Sequence, residues 1–292
     1  MIEREQRTWP NQNGAHRSAV LLALPAVLLI TGCIAVSRAE EPATPADTPT
    51  MAGVPAPAKR PVAYLAAGEL PDGLLLVPPP PKAGSAAQAR DLEGAQRAIA
   101  QRGSARWILA TSDAELFSPA ATATFSCAAG RQIDDQATPA TNRLLRRAAV
   151  DFSSSTSSAK DLYQRPRPFM ENGQPICTPE AERQLRLNGS YPSGHSAIGY
   201  GWGLVLAELV PARTNGLVAR ARAFGDSRRV CNVHWLSDIE EGRVTATATF
   251  VRLQSSATFV VDLAAARDEL ARLPAIAPKH NCAAEAAALA AE

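Results

Sequence analysis

The strongest constraint on the fold is the apolar stretch from His195 to Leu209, broken by Gly199, Gly201 and Gly203. It is bounded by His195 and Glu208, so it falls short of the ~20 apolar residues needed to cross a bilayer. A run this apolar must therefore be buried in protein. Its glycines suit a central helix approached closely by its neighbours. Ser193 stands as the N-cap, which puts Gly194 and His195 in the first turn. The free N–H groups and dipole of that turn favour an anion.

Helix-forming stretches surround this element. They run over Ala86–Gln101, Pro139–Phe152, Pro179–Leu187, Thr214–Phe224, Trp235–Leu253 and Thr258–Leu273. Long alternating strands between turn signals are missing. The expected class is all-α, a single compact helical bundle. Pro78–Pro81 reads as an extended strap.

The ends of the chain read differently. Arg4, Arg7 and Arg17 precede an apolar Ser18–Ile30 segment, the pattern of a signal peptide over residues 1–39. Ile30-Thr31-Gly32-Cys33 looks like a lipobox, with Cys33 lipidated. Ser37-Arg38-Ala39 offers ordinary cleavage instead, and both routes stay open. Residues 40–60 form a Pro/Ala-rich linker. The folded domain is expected over 61–275, and a flexible tail over 276–292. A periplasmic or secreted protein follows, anchored to the membrane if Cys33 is lipidated. Four further cysteines, Cys127, Cys177, Cys231 and Cys282, then suggest two disulfides with three connectivities open.

The formal net charge is only +2 and the Arg residues are scattered, so nucleic acid is not an expected partner. No Cys/His spacing offers a closed zinc site, and no cofactor is expected.

Three groups of residues carry chemistry. Lys160 is followed by six residues and then Arg167-Pro168-Phe169, with the helix expected to stop near Gln164 ahead of Pro166. An Arg fork and a mobile Lys charge both suit phosphate oxygens. The second group is Gly189 to His195. The third is Ser227-Arg228, His234 and Asp238. Four residues on a helix would put the Asp238 carboxylate one turn from His234, where it could hold Nδ1–H and leave Nε2 as the free lone pair. Each group alone is matched by a bland reading: a solvated basic face, an ordinary capped helix, a surface His–Asp pair.

Together, Lys160, Arg167, Pro168, Pro192, Ser193, Gly194, His195, Ser227, Arg228, His234 and Asp238 resemble the three-part signature of the type 2 phosphatidic acid phosphatase and vanadium haloperoxidase superfamily. Each residue type fills roughly a twentieth of positions, so the joint spacing is far from chance. The chain looks most like the bacterial class A non-specific acid phosphatases over roughly Pro61–Leu273. Ser196 stands where that class usually has Thr, and Asp226 where a neutral amide is common. Gly103–Arg131 does not align securely.

The resemblance implies an acid phosphatase acting on phosphate monoesters, with no metal. His234 would be the nucleophile, His195 the general acid and base, and Asp238 the group that orients His234. Lys160, Arg167, Ser193, Gly194 and Arg228 would bind phosphate. A homo-oligomer is common among such relatives. Rival readings are a vanadate-dependent haloperoxidase, a lipid phosphatase, and a non-catalytic phosphate-binding envelope protein.

Overall fold

A computed structural model describes residues 61–118 and 121–290. The expected leader, with Cys33 of the expected lipobox, and the expected linker lie outside the described residues. Among those described, every regular element is a helix, in keeping with the all-α expectation. The longer ones are α1 (Ala86–Ile99), α2 (Ala105–Ser112), α3 (Pro139–Ser154), α4 (Ser157–Tyr163), α5 (Gly194–Leu209), α6 (Thr214–Val230), α7 (Leu236–Leu253), α8 (Ala257–Arg272) and α9 (Cys282–Ala290). The segment 78–82 has no regular structure, and Pro78 O accepts from Tyr191 Oη at 2.7 Å.

Helix α5 is the hub. It packs against α3, α6 and α7, and α8 closes over α3. Ser193 caps it, its Oγ accepting from Ser196 N at 3.1 Å. Both faces of α5 are buried, through Ile198, Trp202, Val205 and Leu206 among others. Trp202 is fully enclosed, and its indole N–H donates to Leu145 O at 2.7 Å. That bond removes the cost of a buried unpaired donor. The glycines act as the sequence suggests: a Cβ on Gly201 would lie 2.4 Å from the Phe152 ring, and one on Gly199 2.0 Å from Phe224.

Three details differ from the sequence reading. Helix α6 runs six residues beyond Phe224 to Val230, so it carries Ser227 and Arg228 on its last turn. Pro179–Leu187 is not one helix but a 3-10 turn, Pro179–Ala181, followed by a single α turn, Glu182–Leu185. The segment expected to be a flexible tail contains helix α9, fixed by a disulfide from Cys282 to Cys127. Its Ala-rich sequence offers little apolar area, so a covalent tie and a charge, not hydrophobic burial, hold it. The other disulfide joins Cys177 to Cys231, which follows the end of α6.

Replacing Gly201 with Ala sets two effects against each other. The helix would gain ~0.5–1 kcal/mol from the lost glycine entropy. Overpacking against the fully buried Phe152 would cost ~1–3 kcal/mol. We expect Gly201→Ala to lower stability in urea denaturation by about 1–2 kcal/mol; an unchanged or raised midpoint would show that the ring yields.

Candidate active site

The three residue groups converge at the N-terminus of α5. Helix α4 stops at Tyr163, with Gln164 in the left-handed region (φ 41°), as the downstream prolines require. Lys160 lies on its last turn and Arg167 on the extended exit that follows. Lys160 Nζ donates to Gly189 O at 2.8 Å and Ser190 O at 3.4 Å, so it is drawn to the loop leading into α5.

The His–Asp pair is built differently from the one-turn spacing within a helix. His234 precedes α7, which begins at Leu236, and Asp238 is the third residue of that helix. The Asp238 carboxylate reaches back over the helix start. Its Oδ2 accepts from Trp235 N at 2.9 Å and lies 3.1 Å from His234 Nδ1. One carboxylate therefore caps a helix and orients an imidazole. With Nδ1–H assigned to Asp238, His234 Nε2 keeps its lone pair and accepts from Arg167 Nη1 at 3.0 Å. Arg167 is fixed in turn by Val233 O at 2.9 Å and Leu185 O at 2.9 Å. The same α7 start is bonded to the cap of α5, where Ser193 N donates to Asp238 O at 2.8 Å. Gly242 permits this approach, since a Cβ there would meet Ser193 O at 2.5 Å.

Arg228 is 5% exposed, and its Nε and Nη1 have no hydrogen-bond partner. Its backbone carbonyl accepts from His234 N at 3.2 Å, and its charge acts on both His195 and His234. Unpaired buried guanidinium donors are costly, and an oxyanion would satisfy them. Ser193 Oγ uses its lone pair as a cap, and its hydroxyl proton remains available to donate. Gly194 is buried in the first turn of α5.

His195 is partly buried and stacks on Phe224, with ring centroids 4.8 Å apart and planes 12° apart. Its Nε2 donates to Asp113 O at 2.8 Å, leaving Nδ1 as the nitrogen that exchanges protons. Asp113 closes the C-terminus of α2, where the helix end carries partial negative charge.

The electrostatics follow from enclosing cations together. Burial, then the Arg167 charge, pushes Lys160 down to about 7. Burial lowers Arg167 to about 10; burial and then Arg167 lower Arg228 to about 10. Both histidines lie well below their ordinary value. For His195 the causes are burial, then Arg228; for His234 they are burial, then Arg167, Lys160 and Arg228. Burial raises the Asp238 carboxyl, opposed by Arg165 and by the Trp235 N–H.

Some residues of the site escape sequence reasoning. Arg165 bridges two buried carboxylates, 2.7 Å from Asp91 Oδ2 and 2.7 Å from Asp238 Oδ1. Ser237 also bonds Asp91, through N at 2.8 Å and Oγ at 2.6 Å. Asp91 looks like any polar position of an amphipathic helix. Only its place on the buried face of α1 distinguishes it, beside Gly94, Ala95 and Ala98. Asp113 lies in the stretch that did not align. Ser227 turns away from the cationic cluster to Asp113 Oδ2 at 2.6 Å. Asp226 pairs with Arg243 at 3.0 Å. Among the described residues no group of three or more His, Cys, Asp or Glu side chains is arranged to hold a metal ion.

The sequence also matches known proteins. Residues 144–258 match the family model described as the PAP2 superfamily. Together with the relatives that follow, that match places the chain in this superfamily. An acid phosphatase of Zymomonas mobilis is 39% identical over 199 residues, 68% of this chain and 75% of the relative. A non-specific acid phosphatase of Salmonella typhimurium is 40% identical over 195 residues, 66% of this chain and 78% of the relative. A third, from Providencia stuartii, is 36% identical over 211 residues, 72% and 85% of the two chains. Within the superfamily the chain is therefore of the bacterial class A acid phosphatase type.

Arg165→Ala would leave Asp91 and Asp238 buried and without their shared cation. Breaking such a pair costs ~3–5 kcal/mol. We expect a loss of that size in guanidinium denaturation, and a loss below about 1 kcal/mol would show that the network does not support the fold.

Proposed function

We propose that this protein is an exported acid phosphatase that hydrolyses phosphate monoesters with broad specificity through a phosphohistidine on His234. The observation that carries the reading is His234 itself. Its Nδ1 is held by Asp238 and its Nε2 lone pair faces the Arg167 guanidinium, beside an Arg228 with unpaired N–H groups. The two disulfides support an oxidising compartment.

In the first step His234 Nε2 attacks phosphorus, the N–P bond forms and the ester P–O bond breaks. The imidazolium that develops is stabilised by Asp238. His195 gives its Nδ1 proton to the departing alkoxide, which leaves as the alcohol. In the second step neutral His195 takes a proton from water, the new P–O bond forms, and N–P cleavage returns inorganic phosphate and free His234. Lys160, Arg167 and Arg228 bind the phosphoryl oxygens, with Ser193 Oγ–H and the Gly194 N–H. Fixed positive charge of this kind is the main resource of phosphoryl transfer.

The pH dependence has a definite sign. Both histidines are lowered, so near neutrality the nucleophile is in its active neutral form and the acid is not. Falling pH raises the protonated fraction of His195 until His234 protonates too. Lys160 titrates near 7 in the free site, so it carries its charge below that pH and loses it above. Both effects favour acid conditions. We expect kcat/KM for p-nitrophenyl phosphate to fall as pH rises through neutral, and phosphate binding to weaken above about pH 7. A profile rising from pH 6 to 8 would contradict the assignment.

His234→Ala should abolish turnover. A brief mix with ³²P-labelled substrate should leave label on the wild type that is lost in acid and retained in alkali. Appreciable activity in the variant, or an acid-stable adduct, would refute the phosphohistidine. A folded but inactive wild type would instead favour the vanadate-oxidase or phosphate-binding readings. At the N-terminus, Cys33→Ser should lose palmitate labelling if the lipobox is used, and unchanged labelling would rule out that anchor.

A further inference from the structure

Behind His195 lies a second polar network that the reaction described above does not use. Asp113, whose carbonyl receives His195 Nε2–H, has a fully enclosed carboxylate gripped from several sides. Arg220 takes both oxygens, Nη1 to Oδ2 at 3.1 Å and Nη2 to Oδ1 at 2.5 Å. Thr124 Oγ1 donates to Oδ1 at 2.8 Å and Ser227 Oγ to Oδ2 at 2.6 Å. Arg220 is itself buried, its side chain 2% exposed. Its Nη1 donates to Asp113 and its Nη2 to both Asp113 and Thr124 Oγ1, the latter at 2.6 Å, while its Nε faces Glu285 Oε1 at 3.2 Å as an ion pair outside hydrogen-bond alignment. Glu285 is on α9, the short helix tied to the body by Cys127–Cys282.

We propose that Glu285 is a positioning residue for the general acid, acting through Arg220 and Asp113 to fix the carbonyl that holds His195. This rests on the role of His195 given under Proposed function. The physical argument concerns geometry. A carbonyl–imidazole bond sets the plane of the ring only if the carbonyl is itself fixed. Asp113 is the C-cap of α2, where the last turn has few backbone bonds of its own. The Nη groups hold Asp113 and Thr124, and the Glu285 charge acts on the one remaining edge of the guanidinium, at Nε, where it balances the pull of Asp113. Glu285 also neutralises the arginine from the far side, so that Asp113 is not pulled towards it alone. The disulfide supplies what the Ala-rich helix lacks in apolar area, a fixed position for its first turn.

A general acid matters in proportion to the basicity of the leaving group. An alkoxide needs its proton in the transition state, whereas p-nitrophenolate leaves almost unaided. General acid catalysis is worth roughly 10²–10⁴-fold, and a misplaced acid loses part of that on alkyl phosphates alone. A merely structural role would lower both substrates equally.

The experiment compares kcat/KM for p-nitrophenyl phosphate and for a simple alkyl phosphate in the full-length protein. The variants are His195→Ala, Glu285→Ala, Glu285→Gln and the double His195→Ala/Glu285→Ala. We expect Glu285→Ala to lose about tenfold on the alkyl phosphate and less than about threefold on p-nitrophenyl phosphate. Glu285→Gln, which keeps the shape but removes the charge facing Arg220, should lose as the alanine variant does, and full recovery would overturn the role of that charge. In the double variant the alkyl phosphate rate should fall no further than in His195→Ala. A His195→Ala variant without the leaving-group split would overturn the role of His195, and this proposal with it. A split in His195→Ala but equal or no loss in Glu285→Ala, or additive losses in the double variant, would overturn the Glu285 proposal alone. If Glu285→Ala does not fold, Glu285→Gln carries the test, and equal losses or none on the two substrates would again overturn it.

Discussion

Lys160, Arg167 and Arg228 stand within range of one another's charge, largely removed from water, and the fold has to tolerate this before any substrate arrives. The cost appears in the groups themselves: Lys160 is pushed down to about 7 and both arginines to about 10. Backbone carbonyls relieve part of it, at Gly189 for Lys160 and at Val233 and Leu185 for Arg167. Arg228 gets less relief and keeps unpaired N–H groups. The scaffold around them is tied at several points. The hub helix α5, the Arg165 bridge between Asp91 and Asp238, and the Cys177–Cys231 link all fix the segments that carry these cations. A softer frame would let the like charges move apart.

The two histidines illustrate how environment divides labour between identical side chains. His234 leans on a carboxylate, which favours positive charge on the ring as well as its orientation. His195 leans on a neutral carbonyl at a helix end, which orients the ring and favours its charge far less. A ring that must bear a phosphoryl group and a ring that must give up a proton need these different supports.

Much of this was legible in the sequence because the relevant signals are local. Ser193 as a cap, the glycines of α5, the prolines that stop α4 and the spacing of Lys160, Arg167, Arg228, His234 and Asp238 can each be read within a few residues. The supports were not legible. Asp91 and Arg165 lie 74 positions apart, and Asp113 and Arg220 lie 107 apart. A buried Asp and a solvated one are the same letter, so only packing tells them apart. The tail failed for a related reason: composition says that 282–290 has little to bury, and only the cysteine pairing shows that it is held. His234 and Asp238 were paired correctly but for an incomplete reason, since the carboxylate closes a helix start as well as facing the ring.

The two disulfides also define a chain topology. Cys177 and Cys231 close a loop of sequence separation 54 that lies wholly inside the one of 155 closed by Cys127 and Cys282. The covalent rings are nested, so neither bond has to wait for the other and no segment must thread through a finished ring. The inner ring can close once Cys231 has been made, whereas the outer one needs Cys282, 51 positions further on. For a chain that emerges from its N-terminus, the segments bearing the cationic pocket can be linked before the outer clasp closes.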